Sequence, residues 1–194
     1  MPSTIRPALI LFGALSVLCG VIYPAAVTGI GRIAFPHQTE GSLLEAGGKT
    51  IGSSLIGQPF SQPGYFWGRP SATSPMPANA AGSSGSNLGP TNPAFVDAVK
   101  QRVDALRQAD PTNRASIPVD LVTASASGLD PDISVAAAEY QASRIASVRH
   151  LPVQQVRALI DAHHQEPLLG FLGEARVNVL TLNLALDGKS ARAQ

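Results

Sequence analysis

His163 and His164 could supply a base for acid–base chemistry near neutral pH. A serine hydrolase would pair such a base with an activated serine, but the sequence contains neither a G-x-S-x-G elbow nor an S-x-x-K pair. Adjacent helical residues point about 100° apart, and a helix C-terminus favours a cation, so a structural role is favoured for the pair. The alternative hypothesis is an enzyme that is anchored to a membrane, faces away from the cytoplasm, and uses either histidine with Ser125 or Ser127.

Two glycine-containing segments resemble phosphate-binding loops only in part. Gly48-Lys49-Thr50 matches the end of a P-loop, but the glycine required five positions before Gly48 is Leu43, so a hairpin turn is favoured. The run from Gly82 to Gly89 lacks the glycine spacing of a dinucleotide fingerprint. Because it leads into a predicted helix, it could still present backbone N–H groups to an anion or a partner carbonyl. The residues identify no nucleotide site.

The composition argues against metal and nucleic-acid binding. The only cysteine, Cys19, lies in an apolar run, which excludes a cysteine-based metal site and an intramolecular disulfide. No H-E-x-x-H occurs, and Asp130 and Asp132 lack the other ligands of a calcium loop. A net charge of +1 without a basic stripe does not suit a nucleic-acid binder. We expect no metal and no tightly bound cofactor.

An uncharged run near the N-terminus predicts a transmembrane helix over residues 7–31. It is bounded by Arg6 and Arg32, and its length of roughly 25 residues exceeds the roughly 20 that span a bilayer. The alternative is a cleaved signal peptide with a cut near Pro24-Ala25-Ala26, but the run is longer than an ordinary h-region. Pro24 is expected to kink or end the straight part of the helix.

The distribution of positive charge does not decide the orientation of the predicted helix in the membrane, because Arg6 and the free amine before the span nearly balance Arg32 and Lys49 after it. A tail of only six residues is easily left in the cytoplasm. We therefore predict a cytoplasmic tail over residues 1–6 and an extracytoplasmic domain over residues 32–194.

Small residues lie on one face of the predicted span. Gly13, Ser16 and Gly20 are spaced at i, i+3 and i+7, and small side chains let a second transmembrane helix approach closely. This spacing predicts a packing face for a partner helix. The alternative is that glycine is simply common in membrane helices.

The segment 57–93 contains seven of the 16 prolines, which is typical of a disordered linker. It also carries four of the ten aromatic residues, which is more apolar anchoring than a solvated linker needs. We predict a long ordered loop that packs on the domain.

The rest of the chain shows the periodicities of a small mixed domain. Two short strands around Gly47-Gly48 are predicted between residues 42 and 56. Helices are predicted from Pro93, capped by Thr91 or Asn92, to about residue 110, over residues 134–148, and from about residue 152. Leucines at every second position predict a strand over 177–186, with further extended candidates at 65–67 and 121–123. Strands before and after the helices favour an α+β fold.

A series of short motifs covers nearly the whole chain in one order: Tyr23-Pro24, Thr28-Gly29-Ile30, Phe35-Pro36-His37-Gln38, Leu55-Ile56-Gly57-Gln58, Gly68-Arg69-Pro70-Ser71, Gly85-Ser86-Asn87-Leu88-Gly89-Pro90-Thr91-Asn92-Pro93, Asp120-Leu121-Val122-Thr123-Ala124-Ser125, Gly128-Leu129-Asp130-Pro131, Ala136-Ala137-Ala138-Glu139-Tyr140-Gln141 and Leu169-Gly170-Phe171-Leu172-Gly173. In these motifs the chain resembles the KdpC family, the C subunits of the bacterial Kdp potassium-transporting P-type ATPase. The chain departs from the family at Ala46-Gly47, where an aspartate-containing turn is usual, and at Ala126, where glycine often follows Ser125.

The resemblance implies a non-catalytic subunit of an inner-membrane complex. Its partners would be a channel-like potassium-binding subunit and an ATP-hydrolysing pump subunit, and the family is described as a catalytic chaperone that raises ATP affinity. ATP is therefore a possible ligand by family description only, and an exported domain would not meet cytoplasmic ATP. The predicted partner interface comprises Gln38, Arg69, Asn87, Thr91 and Asn92.

Overall fold

The computed structural model describes residues 4–189 and 192–193. They form two compact units, of which the first ends at Leu43 and the second runs from Leu44 to Ala193. The predicted α+β class is confirmed, because a long apolar N-terminal helix precedes a small domain of helices and short strands.

The first unit is dominated by a helical run of 30 residues, Ile5–Ala34. It consists of α1 (Ile5–Val17), a π-helical segment (Leu18–Ile22) and α2 (Tyr23–Ala34), and a short helix α3 (Pro36–Thr39) follows. No residue of the long run is buried. It is the one helix among the described residues whose length and composition would allow it to cross a membrane.

Pro24 does not end the helix, which continues for ten residues beyond it. Proline has no N–H, and its ring clashes with the carbonyl four residues earlier, here that of Gly20. The chain changes to π-helical bonding just before the proline, where the Tyr23 N–H donates to the Leu18 carbonyl. This wider turn accommodates the ring without ending the helix.

The second unit contains two three-stranded sheets. The first has the strand order β2-β1-β6, formed by β2 (Lys49–Ser53), β1 (Leu43–Ala46) and β6 (Arg192–Ala193). The second has the order β3-β5-β4, formed by β3 (Asp132–Ser134), β5 (Arg176–Asn178) and β4 (His164–Gln165). The pairs β1–β6, β3–β5 and β4–β5 are antiparallel.

The predicted hairpin is confirmed. Its strands β1 and β2 are joined by Gly47 and Gly48, whose φ angles of 61° and 75° lie in the left-handed region that favours glycine. The turn that resembles the end of a P-loop is therefore the connection between two strands.

The three predicted helices are also confirmed, as α4 (Pro93–Ala109), α5 (Val135–Arg149) and α6 (Val153–His163). Asn92 caps α4, because its side-chain oxygen accepts from the Ala94 N–H at 2.9 Å. Ser134 caps α5 through the Ala137 N–H at 3.0 Å. Both caps lie directly before the apolar periodicity that predicted the helix.

The predicted strand over residues 177–186 is wrong for most of its length, because Val179–Leu186 is a helix, α7. Asn178 ends β5 and caps α7, accepting from the Thr181 N–H at 3.1 Å. The leucines alternate because α7 packs against two clusters. Leu180 and Leu184, four residues apart, pack with Leu44, whereas Leu182 belongs to the main core.

The two shorter extended candidates are corrected as well. Residues 121–123 are not a strand, since Val119–Leu121 form a 3₁₀ turn and the Thr123 hydroxyl donates to the Val119 carbonyl at 2.8 Å. Residues 65–67 belong to neither sheet of the described chain. The strands β3, β4 and β6 were not predicted, because they have only three, two and two residues and therefore show no periodicity.

The main hydrophobic core lies among α5, α6, α7, the strands β3 and β5, and the long loop. Its fully buried large side chains come from each of these elements: Phe66, Ile133, Ile145, Val156, Ile160, Val177 and Leu182. Phe66 comes from the proline-rich loop, so this loop contributes to the core.

Two side-chain amides bind the loop backbone at this point. Asn183 of α7 accepts from the Phe66 N–H at 2.8 Å and donates to the Phe66 carbonyl at 3.0 Å. Gln141 of α5 likewise accepts from the Trp67 N–H at 2.8 Å and donates to the Trp67 carbonyl at 3.1 Å. Both amides are almost wholly buried, so the loop backbone is satisfied as it would be in a sheet, but by side chains.

Arg144 strengthens this contact from α5. Its guanidinium donates to the carbonyls of Pro63 and Tyr65 and to the Gln141 side chain, and it lies 4.4 Å from the centre of the Trp67 ring. Burial lowers the pKa of Arg144 to about 10, so it remains charged at neutral pH.

We expect Gln141→Leu to lower the free energy of unfolding by about 2–4 kcal/mol, because it leaves the part-buried Trp67 N–H and carbonyl without partners. Urea denaturation of the full chain in detergent, followed by the fluorescence of Trp67 and by circular dichroism, measures this loss. The matched control is Gln154→Leu on the exposed face of α6, for which we expect a change within about 0.5 kcal/mol. Equal midpoints for the two variants would contradict the role of Gln141.

Candidate functional site

The side chains that could form a hydrolase site serve structural hydrogen bonds instead. The Ser125 hydroxyl accepts from the Gly128 N–H at 2.8 Å, and the Ser127 hydroxyl accepts from the Leu129 N–H at 3.1 Å. Both serines belong to a turn that packs against the long loop. No hydrogen bond among the described residues joins either serine to a histidine.

The two histidines lie at the end of α6, as predicted. His163 Nδ1 lies 2.9 Å from the Leu159 carbonyl oxygen. His164 Nδ1 lies 2.7 Å from the Asp161 carbonyl oxygen, and its Nε2 lies 2.9 Å from Glu166 Oε1. The hydrogen bond to Glu166, followed by that to the Asp161 carbonyl, raises the pKa of His164. A raised pKa favours the protonated form, which suits a structural ion pair better than a general base.

The second unit contains a cleft with a volume of about 500 Å³. Its walls are largely apolar and come from the long loop, α4, the 3₁₀ turn and α7, with Phe60, Trp67, Leu106, Leu121 and Val179 among them. Its charged groups are Arg69, Arg102 and Asp130.

The rim of this cleft is formed where the long loop contacts residues 125–130. The Gly57 N–H donates to the Leu129 carbonyl at 2.8 Å, and the Ser71 hydroxyl donates to the Gly128 carbonyl at 2.7 Å. Gly128 has a φ of 68°, and a Cβ there would lie 2.8 Å from the Ser84 carbonyl oxygen. A larger residue than glycine would therefore push the two segments apart.

Arg69 and Asp130 form an ion pair at the cleft. Arg69 Nη1 lies 3.0 Å from Asp130 Oδ2, and each side chain is 28% exposed. The other oxygen of Asp130 accepts from the Asp132 N–H at 3.0 Å, which fixes the carboxylate. Arg69 Nε is buried and has no hydrogen-bond partner among the described residues. The Arg69 side chain therefore retains an unused donor.

Arg102 of α4 supplies the second cation. It donates to the Val122 carbonyl at 2.8 Å, and burial lowers its pKa, although a guanidinium stays charged at neutral pH. The cleft thus combines apolar walls with two guanidinium groups and one carboxylate. Such a surface suits a partially apolar partner that carries a carboxylate or carbonyl oxygen.

The predicted interface residues lie in different places. Arg69 lines the cleft, whereas Asn87, Thr91 and Asn92 lie together on an exposed stretch that leads into α4. Asn92 already has a structural role as the helix cap. Gln38 is an exposed residue of α3 in the first unit. An interface role for these residues remains a prediction.

Neither the ion pair of Asp130 with Arg69 nor the place of Arg102 in the same cleft was predicted from the sequence. Asp130 is 61 residues away from Arg69 in sequence, and no periodicity relates the two. The sequence offered only a local signal for this ion pair. Arg69 and Asp130 each lie in a short motif with glycine and proline, and such motifs mark loops with a fixed backbone.

We expect a double-mutant cycle of Arg69→Met and Asp130→Asn to give a coupling free energy of about 0.5–1.5 kcal/mol, since the pair is only partly exposed. The measurement is urea denaturation of the full chain in detergent. The coupling should shrink as salt is added, because salt screens partly exposed charges. Additivity of the two single changes within error would show that the ion pair does not fix the cleft.

Comparison with known proteins identifies the family. A family model described as KdpC, the c chain of K+-transporting ATPase, matches residues 5–188. A protein of Janthinobacterium sp. (strain Marseille), named "Potassium-transporting ATPase KdpC subunit", is 65% identical over 187 residues, which cover 96% of this chain and 99% of the relative. Proteins of the same name from Variovorax paradoxus (strain S110) and Herminiimonas arsenicoxydans are 65% and 64% identical, over 98% and 96% of this chain and 99% and 98% of their own lengths. The chain therefore belongs to the KdpC family, the c chains of K+-transporting ATPases.

Proposed function

We propose that this chain is a non-catalytic subunit of an ATP-driven potassium uptake complex, needed for its assembly and activity. The observation that carries the proposal is the 30-residue apolar helix without a single buried residue, in a chain of the KdpC family. An apolar helix with every face free is suited to lipid and to other transmembrane helices. The serines and histidines of the second unit serve structural hydrogen bonds, which supports a role without catalysis.

The proposed location is the bacterial inner membrane, with residues 1–6 in the cytoplasm and the second unit outside. A short tail before the first span is easily retained in the cytoplasm. The second unit has its own core and could fold after export as a separate domain.

The proposed partners are a channel-like potassium-binding subunit and an ATP-hydrolysing pump subunit. Gly13 and Ser16 of α1, with Gly20 in the π-helical segment, would let a partner helix approach closely, since nothing in the described chain lies within 4 Å of a Cβ built at Gly13 or Gly20. The long loop, with Arg69 in the cleft and Asn87, Thr91 and Asn92 on its exposed end, is the proposed contact of the second unit.

An effect on ATP affinity would then be indirect. A domain on the outer side stabilises one conformation of the complex, and the pump subunit in that conformation binds ATP more tightly. The segment that resembles the end of a phosphate-binding loop, Gly48-Lys49-Thr50, belongs to a hairpin whose strand β2 begins at Lys49, so it offers no support for direct contact with nucleotide. We propose no tightly bound cofactor.

Cysteine labelling tests the orientation. In a Cys19→Ser background, which has no other cysteine, we expect Lys49→Cys and Asn87→Cys to react with a membrane-impermeant maleimide in intact cells. Thr4→Cys serves as the opposite control and should react only after the cells are permeabilised. If Thr4→Cys were the only variant labelled in intact cells, the orientation would be the opposite of the one proposed.

Co-purification tests membership of the complex. We expect the tagged full chain to retain both other subunits when all are co-expressed, and Gly13→Leu to reduce this retention because the larger side chain prevents close approach. Ala14→Leu, one residue further and about 100° around α1, is the matched control and should retain both subunits. A wild-type chain that purifies alone would refute the proposed function.

A further inference from the structure

The connection between β4 and β5 exposes four large apolar side chains on a single turn. The exposed fractions are 69% for Leu168, 75% for Leu169, 73% for Phe171 and 49% for Leu172. Neither of the hydrophobic clusters formed by the described residues includes any of them. We call this segment, residues 167–173, the apolar tip. Contiguous exposed apolar side chains mark interaction sites on folded domains.

The apolar tip has a defined backbone. Leu168 and Leu172 form an antiparallel bridge, with N–H to carbonyl distances of 3.0 and 2.9 Å in the two directions. The Gly170 N–H donates to the Pro167 carbonyl at 2.9 Å, which closes the turn. The backbone of the tip is therefore fixed, and little backbone entropy is lost when a partner binds it.

One residue of the tip has an unusual conformation. Leu169 has a φ of 57°, in the left-handed region where a leucine is disfavoured, and Gly170 follows with a φ of 79°. Asparagine or glycine would adopt this conformation more easily than leucine. Leu169 is also the most exposed side chain of the tip, so neither core packing nor backbone preference explains a leucine here.

The charges beside the tip distinguish between possible binding partners. Two glutamates flank the tip, and both are exposed. Glu166 is paired with His164 at 2.9 Å and Arg176 with Asp132 at 3.0 Å, whereas no ion pair of the described residues includes Glu174. The anionic surface of a membrane would repel the Glu174 carboxylate. A protein pocket with an apolar floor and lysine or arginine at its rim would complement both the leucines and Glu174.

We infer that the apolar tip inserts into an apolar pocket with a basic rim on another subunit of the same complex, with Leu169 and Phe171 as the main anchors. The inference rests on the proposed function, since it requires a complex. It adds a second contact of the folded domain, separate from the cleft that contains Arg69. A few large side chains buried in a pocket can dominate the affinity of an interface.

The test uses the full chain, co-expressed with the other subunits. We expect the double variant Leu169→Asn with Phe171→Ser to lower retention of the partner subunits by roughly tenfold or more, since it removes both anchors. Asparagine keeps the left-handed conformation at position 169, and both side chains are exposed, so the urea midpoint of the isolated chain should not fall. The matched control is Leu55→Asn, which replaces another leucine that is 61% exposed and should retain the partners fully.

Two further variants identify the type of surface that the tip contacts. Glu174→Lys should weaken retention if the rim is basic, whereas Glu174→Gln should have a smaller effect. Phe171→Trp, in a Trp67→Phe background, reports lipid contact when the chain alone is placed in vesicles of brominated anionic lipids. Strong quenching in that experiment, together with stronger membrane contact for Glu174→Lys, would overturn the inference in favour of a lipid surface.

The outcomes separate this inference from the proposed function. If the wild-type chain retains its partners and the double variant retains them equally well, the tip is not an interface and the inference fails alone. If the wild-type chain itself retains no partner, the proposed function fails first. Loss of retention in the double variant with full retention by Leu55→Asn supports both.

Discussion

The second unit depends on the buried amides of Gln141 and Asn183, which hold the backbone of two consecutive loop residues. A proline-rich loop cannot join a sheet easily, because proline lacks a donor. Without these amides, Phe66 would bring unpaired N–H and carbonyl groups into the core. The amides supply the partners that a neighbouring strand would give, and the loop can contribute Phe66 to the core and Trp67 to the wall of the cleft.

Arginines connect the same loop to the helices around it. Arg144 binds loop carbonyls, and Arg149 donates to the Gly64 carbonyl, pairs with Asp187 at 2.8 Å and lies 4.5 Å from the centre of the Tyr65 ring. Burial raises the pKa of Asp187, but its hydrogen bonds from Arg149 and Tyr65 outweigh this and lower the pKa overall. Cations from α5 therefore bind carbonyl oxygens that no regular secondary structure satisfies, and the loop is held at several points along α5.

Local signals in the sequence predicted most of the elements, and long-range contacts explain the failures. Gly47 and Gly48 fixed the hairpin, and Asn92 and Ser134 marked two helix starts, because each effect acts within a few residues. The helix α7 was mistaken for a strand because its leucines pack against two clusters, and only tertiary structure shows that both of its faces are covered. The pairing of Arg69 with Asp130 was not predictable, since nothing local relates residues 61 positions apart. The family, by contrast, was evident from the order of the motifs along the chain.

The π-helical segment Leu18–Ile22 divides the apolar helix into two halves whose side chains are offset around the helix axis. A single turn of this kind adds one residue to the helix, which rotates everything after it by about 100° relative to an uninterrupted α-helix. The face of α1 that carries Gly13 and Ser16 therefore does not continue in line onto α2. Gly29 and Gly31 of α2 are two residues apart and point about 200° from each other, so they do not extend it. The stripe of small residues thus ends at the π-helical segment, and a straight neighbouring helix can follow it along α1 only.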